Sequence, residues 1–493
     1  MSEQEEKKRA GREEGAGPPA DSYPNNNGEK GGAWHQLLAC TWKTPLGVIG
    51  VSITTISITL ILLGVIAHLT GLIHNPYHAI FTFLLLPGAM LFGLVLIPLS
   101  CYFRRKKWFK ESLTNVENLK IDLSDAQHRK GILLFIILSV INITVLVVVA
   151  YEGYHFTDSP YFCGVVCHSV MDPEYTAYQR SDHAKVSCVA CHIGPGASWY
   201  VQAKLSGLRQ VKAVIDGGFS RPIPAPVEHL RPARDTCEQC HWPEKFIGKK
   251  VKTYISFSDE DQKNPQVQEI ALHIGGRNPV NDKFEGIHWH VSRDIKVEYQ
   301  ALDEKRTRIG KIKVTRTKGV TEEYQIGDGE PEPGTQAKWR TMDCIDCHNR
   351  PTHAYDRLEE LVDFGLYAKK LSPEIPGMRA QALIVLQKEY TSRNEATEQI
   401  VEDLMEGLAK LHGNEFVTSH EEEIINSGRY LLEGYLNNVW PNMKVTWGTY
   451  PEHIGHQDAD DGYGCFRCHD DEHATQVGKT IGQDCDQCHD EPE

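Results

Sequence analysis

Twelve of the fourteen cysteines fall in six close pairs after residue 160, and each pair is followed at once by histidine. The motifs are CGVVCH (Cys163, Cys167, His168), CVACH (Cys188, Cys191, His192), CEQCH (Cys237, Cys240, His241), CIDCH (Cys344, Cys347, His348), CFRCH (Cys465, Cys468, His469) and CDQCH (Cys485, Cys488, His489). Two thiols so spaced can form thioethers to the two vinyl groups on one edge of a porphyrin. The adjoining imidazole then swings beneath the ring to bind iron. Zinc knuckles would need four ligands in a tetrahedron, not a Cys-His step repeated six times. Disulfides would not need the histidine at all. The pattern therefore implies six covalently attached haem c groups. The first motif has one residue too many between its cysteines, but the Cys167–His168 step is intact, and a one-residue bulge can absorb the excess.

Each iron then needs a sixth ligand or an open face. His183, His273, His288, His290, His353, His453, His456 and His473 lie outside the motifs and are the candidates. IHWH, read as a strand, puts His288 and His290 on one face, so that one of them ligates. The same holds for His453 and His456 in PEHIGH. His353 and His473 closely follow motifs of their own. These sites supply about five sixth ligands, as low-potential bis-histidine haems require. The first haem has no evident distal histidine. Met171, three residues after His168, is either its ligand, which would raise its potential, or a packing residue.

Such sites need a compartment and a scaffold. The chain has 493 residues, 41% of them hydrophobic, and a formal charge of -14, which argues against nucleic acid as a partner. Residues 1–40 read as a disordered cytoplasmic tail. The first apolar run begins too late and runs too long for a cleavable leader. Runs at 46–72, 79–103 (with Pro87 and Pro98) and 131–151 each exceed the roughly 18 apolar residues that mark a spanning helix. Buried core helices are the competing reading. Lys and Arg concentrate in the tail and in the loop that begins RRKK (Arg104–Lys107), and are absent from the GLIHNPY link. Tail and loop are therefore cytoplasmic. Three crossings put everything after residue 152 in the periplasm of a bacterial inner membrane, the compartment where haem c is attached.

The expected fold is mostly α with little regular core: three transmembrane helices plus a periplasmic multihaem domain containing a β-rich insertion. The expected divisions are a membrane anchor (41–152), a three-haem region (153–249), the insertion (250–335), a fourth haem with a helical region (336–445) and a two-haem tail (446–493). Alternation in IKVEYQAL (295–302) and KIKVTRTK (311–318) marks strands of an insertion that lacks a motif of its own. RLEELVDFGLYAKKL (357–371) has helical periodicity.

Residues 131–353 resemble the NapC/NirT/NrfH family of membrane-anchored multihaem quinol dehydrogenases. The shared features run in order: a spanning helix before FC…CH, then EYTAYQRSDH with His183, CVACH, a basic helix, CEQCH and CIDCHNRPTH. The fuller pattern is similar to inner-membrane cytochromes of bacteria that respire periplasmic or extracellular acceptors. Two extra spans, the insertion, the added haem pair and the longer first motif depart from the family. The resemblance implies oxidation of menaquinol or ubiquinol from the membrane pool. Electrons would pass through the haems to periplasmic c-type cytochromes or a periplasmic reductase. It also implies a quinol site on the segment SWYVQAKLSGLRQVKAVI (198–215), where Lys204 matches the family's lysine and Gln210 stands where its acid would be. That segment carries Val201, Leu205, Leu208, Val211 and Ile215 at helical spacing beside Lys204, Arg209 and Lys212, and suits a helix at the bilayer surface. A lipid-contacting role for Lys204 is the plainer alternative. Two other functions compete with quinol oxidation: a terminal reductase of a nitrogen or sulfur oxide, and a non-catalytic relay or anchor subunit.

Intact-mass measurement of the mature protein should give six haems, with Cys163 modified; five haems and a free Cys163 thiol would refute the stretched first site. Protease cleavage of the 103–130 loop from outside intact spheroplasts would reverse the orientation.

Overall fold

The computed structural model describes residues 45–69, 81–108, 124 and 126–490, except 167, 195–196, 228–230, 279, 281, 318, 328 and 457–463. The expected disordered tail, the GLIHNPY link, Cys167 and the His168 side chain lie outside the described residues. The chain divides into two units, one ending at Gly153 and the other beginning at Tyr154.

The first unit is built from α1 (Pro45–Leu69), α2 (Leu86–Trp108, entered through a π-turn at Phe81–Leu85) and most of α3 (Ala126–Asp158). Pro45 opens α1, where its missing N–H is no loss. Pro45–Ala67 and Phe81–Ser100 are long and apolar enough to cross a membrane, and most of each is exposed. A helix that is apolar all round and yet exposed is built for lipid rather than for a core. The third expected run, 131–151, lies within the 33-residue α3. Helices α1 and α2 touch through small residues. A Cβ on Gly93 would come 2.8 Å from the Gly50 carbonyl, so the backbones approach as small-residue membrane interfaces do. Ile61, Leu86, Met90 and Val149 form the apolar contact among the three helices.

In the second unit the insertion folds as two four-stranded antiparallel sheets. The first has β1 (Gly248–Ser256), β2 (Gln266–Arg277) and β3 (Phe284–Glu285) in that order. Its fourth strand is β8 (His489–Asp490), from the far end of the chain, which pairs with β2 at Leu272↔His489. The second has the order β6–β5–β4–β7, from β4 (Ile295–Ala301), β5 (Ile309–Arg316), β6 (Thr321–Gln325) and β7 (Arg340–Thr341). The expected alternation in β4 and β5 is present. Val297, Tyr299, Ile312 and Val314 point into one core, on which Trp289, Met342 and Cys468 pack.

The expectation of little regular core is overturned for the helical region. Helices α9 (Leu358–Tyr367), α10 (Met378–Gln387), α11 (Arg393–His412), α12 (Asn414–Ser419) and α13 (Glu421–Asn438) enclose a conventional apolar interior. Ile400, Leu404 and Leu408 of α11 are fully buried. Their four-residue spacing makes one stripe, which explains why a segment without a haem motif needs no porphyrin to fill its core. Ser392 caps α11 by accepting from the Glu395 N–H at 3.1 Å. Leu404→Ala should lower stability by about 2–5 kcal/mol. Helical circular dichroism should then melt earlier, with the haem absorption at low temperature unchanged.

Candidate functional site

Five of the motifs sit on short helical turns: α5 (Cys188–His192), the turn following α7 (Ala233–Cys237), α8 (Cys344–Cys347), and 3-10 turns at Gly464–Arg467 and Cys485–Gln487. A helical turn brings residues three apart to one side, which is what two thioethers to one porphyrin edge demand. In three motifs the histidine N–H closes the turn on the first cysteine's carbonyl: His241 on Cys237 at 2.7 Å, His348 on Cys344 at 2.8 Å and His469 on Cys465 at 3.1 Å. The stretched first motif enters through a π-turn, Phe162–Val166. A π-turn is a helical turn holding one extra residue, so the surplus residue has a place in the backbone. Gly164 at its centre lies against the Tyr175 ring, where no side chain would fit. Helix α4 (His168–Arg180) follows directly.

Opposite each of the other five motif histidines stands a second imidazole from elsewhere in the chain. The ring centroids are 6.0 Å apart for His241 and His183, 6.2 Å for His192 and His353, and 6.3 Å for His348 and His288. They are 6.0 Å apart for His469 and His290 and 6.3 Å for His489 and His456. A metal–imidazole bond of about 2.0 Å, plus about 1.1 Å from ring nitrogen to centroid, puts two rings on opposite sides of one iron about 6.2 Å apart. The same rings on a tetrahedral metal would be about 5 Å apart. Among the described residues there is no group of three or more His, Cys, Asp or Glu that would hold a metal, and no cysteine is in a disulfide. The paired imidazoles, at the spacing of one six-coordinate iron, fit haem c.

The far nitrogens are prepared for this. Nδ1 faces a backbone carbonyl in His183 (Pro351, 3.2 Å), His288 (Ile274, 2.9 Å), His290 (Ile287, 2.9 Å) and His353 (Glu174, 2.9 Å). His469 does the same with Gly482 at 2.9 Å and His489 with Asp490 at 3.0 Å. An Nδ1–H donated to a carbonyl fixes the tautomer and leaves Nε2 for iron. Burial pushes the pKa of His192, His288, His290, His348 and His353 down, which keeps them in the neutral, metal-binding form.

Two expectations need correction, and of one pair left open the structure brings a single member to a motif histidine. His288 and His290 do not share a strand face: they lie on a 3-10 turn, Ile287–Val291, and oppose different motif histidines. Of His453 and His456 it is His456 that meets one of the five described motif histidines, His489. His453 is buried, and burial, with the nearby Arg467 charge, lowers its pKa to about 4. His473 also stands opposite none of the five described motif histidines: Nδ1 meets Asp470 Oδ2 at 2.7 Å and Nε2 meets the Ile309 carbonyl at 3.1 Å. His273 is held by Asp490 Oδ1 at 2.9 Å and anchors β8. Met171 is half-buried on α4, on the same helical face as His168.

The expected basic helix is α6 (Ala197–Asp216), and Val201, Leu205, Leu208, Val211 and Ile215 are all exposed on it. Lys204 Nζ donates to Thr157 Oγ1 at 2.9 Å and lies 3.5 Å from Asp158 Oδ1, at the last turn of α3. Gln210 is exposed and sits about 120° round the helix from Lys204, so the two do not form one site. The carboxylate beside Lys204 is Asp158. It lies on another helix, so no spacing within 198–215 could have pointed to it. Asp346, inside the fourth motif, was also not singled out. It is nearly fully buried and accepts from Tyr299 Oη (2.7 Å) and Arg340 Nε (3.1 Å), which ties the motif to the second sheet.

Replacing His353 or His183 by alanine should convert one low-spin haem to high-spin, visible by absorption and EPR, while His473→Ala should leave the low-spin count unchanged. The opposite pattern would break the pairing.

Residues 125–222 match the family model described as NapC/NirT cytochrome c family, N-terminal region. The cytochrome c-type protein ImcH of Geobacter sulfurreducens is 38% identical over 449 residues, covering 90% of this chain and 87% of that protein. No solved structure matches the chain. A π-turned first motif following a long apolar helix, five imidazole pairs spaced for iron, and this likeness along nearly the whole chain place it in the NapC/NirT family of membrane-anchored multihaem c-type cytochromes of electron transfer.

Proposed function

We propose that the chain is a three-span, inner-membrane hexahaem cytochrome that oxidises quinol and delivers the electrons to a periplasmic c-type cytochrome or reductase. The observation that carries this reading is the set of five opposed imidazole pairs. An iron held on both faces has no position left for a small-molecule oxide, so these five sites are relays, and terminal reduction is disfavoured. The haems supply one-electron storage at low potential. The first motif begins about a dozen residues beyond the third apolar run, short enough to stay near the bilayer surface. Lys and Arg asymmetry supports a cytoplasmic amino terminus and a periplasmic haem region.

Quinol oxidation releases two electrons and two protons, so its site needs a group to hold the oxygen and a group to take a proton. Lys204 Nζ is suited to donate to the quinol oxygen. The Asp158 carboxylate beside it is suited to accept the proton, the role sought at Gln210. Both are partly shielded, and both belong to the segments flanking Cys163 and Cys188. The exposed apolar face of α6 supports its lying in the lipid surface, where a quinol headgroup arrives.

Stopped-flow reduction by a menaquinol analogue tests this. Asp158→Asn should slow it by about 10²-fold or more, the scale of a lost general base. Lys204→Ala should slow it about tenfold or more. Dithionite should still reduce every haem in both variants. Unchanged quinol-driven rates in both would remove the site, and with it the quinol reading of α6.

A further inference from the structure

The insertion between the third and fourth motifs contains no cysteine pair, yet it brings two imidazoles to two different motif histidines from positions 288 and 290. The geometry of a 3-10 turn explains how. At three residues per turn and about 2.0 Å rise, side chains two apart diverge by about 120° and are offset by about 4 Å along the axis. They cannot close on one metal; each must serve its own.

We propose that the turn Ile287–Val291 is a two-iron bridge, in which His288 is the sixth ligand of the haem attached at Cys344 and Cys347, and His290 is that of the haem attached at Cys465 and Cys468. This rests on reading the motifs as haem sites, and not on the identity of the electron donor.

The surrounding structure holds the turn from both sides. His288 Nδ1 is fixed by the Ile274 carbonyl of β2 at 2.9 Å, and His290 Nδ1 by the Ile287 carbonyl at 2.9 Å. Gly286 enters the turn at φ 78°, packed so closely on β2 that a Cβ would lie 2.5 Å from Gly275 Cα. Trp289 packs on the core of the second sheet. The two sheets therefore clamp the turn, and the backbone of Trp289 joins the two ligands by a short covalent path. The two motifs are locked together on their other side as well: Arg467 of the fifth donates to the Asp346 carbonyl of the fourth at 2.5 Å. With both haems bound, the turn would hold their irons at a fixed separation, and one-electron exchange between them would need no bond made or broken. The insertion is thus the coupling element between the four-motif region and the C-terminal haem pair.

The two ligand sets differ in a way that EPR can read. The His288 and His348 planes are near parallel (7°), and the His290 and His469 planes are crossed (81°). Near-parallel imidazoles give a rhombic low-spin signal and crossed ones a large-g signal. In the full-length protein, oxidised with ferricyanide, His288→Ala should lose one rhombic low-spin haem and gain one high-spin haem. His290→Ala should lose one large-g haem and gain one high-spin haem, and the double variant should show both changes. Intact mass should still count every haem, since the cysteines are untouched. A single variant that leaves the low-spin count unchanged, or two variants that remove the same signal, would overturn the bridge. If an alanine variant does not mature, His288→Met and His290→Met keep a ligand in place. Each should then raise the midpoint potential of one haem, a different haem in each, in a titration with chemical mediators; an unaltered titration would equally overturn it. No quinol enters these measurements, so their failure is distinct from failure of the quinol site.

Discussion

The constraint on which the rest depends is that an iron bound by a motif histidine on one face becomes a closed electron relay only with a second donor on the other, and the motif cannot supply it. A C-x-x-C-H turn places its own histidine beneath the ring and leaves the opposite face to another part of the chain. His353, just past the fourth motif, faces the second motif's His192. His183, just before the second motif, faces the third motif's His241. Much of the second unit is therefore scaffolding that holds distant imidazoles at fixed heights. Backbone carbonyls on Nδ1 set their rotation as well as their tautomer.

Buried charge follows the same logic. Asp346 sits inside a motif loop with almost no exposure, and it is tolerable there because Tyr299 and Arg340 satisfy it, with Arg306 3.5 Å away. Removing one partner would leave a buried charge uncompensated, so the cluster fixes geometry more than it adds stability. Arg350 does similar service for Glu174 at 3.1 Å, beneath the carbonyl that holds His353. Each charge network lies against a ligand histidine or a motif turn, where a shift of an ångström would misplace a ring.

The covalent half of the site was legible in the sequence because cysteine pair and histidine are contiguous. The other half was not, because partners such as His290 and His469 meet only in the folded chain. The choice between His288 and His290 failed for a physical reason: period two was assumed where the backbone takes period three. His473 was attractive for its nearness to a motif, but both of its nitrogens are engaged elsewhere. The strands of 295–316 and the helix near 357–371 were readable from alternation and periodicity. The closed apolar core of the later helices was underestimated because haem was expected to do its work throughout. Asp158 carried no local signal, since its relation to Lys204 is between helices.

The pairing of motifs with distant imidazoles has a consequence for how the protein is made. A chain exported from its amino end presents its second motif long before His353 emerges, and its third motif only after His183 is already outside. On the proposed topology, a haem at Cys188 and Cys191 would wait with one face open for His353, while one at Cys237 and Cys240 would find His183 already present. The fifth meets a ligand, His290, that was exported well ahead of it. Completion of the ligand shells does not follow the order of synthesis. On the proposed topology, a nascent chain halted between the third and fourth motifs would carry three motifs, of which the third has its paired imidazole in place and the second does not.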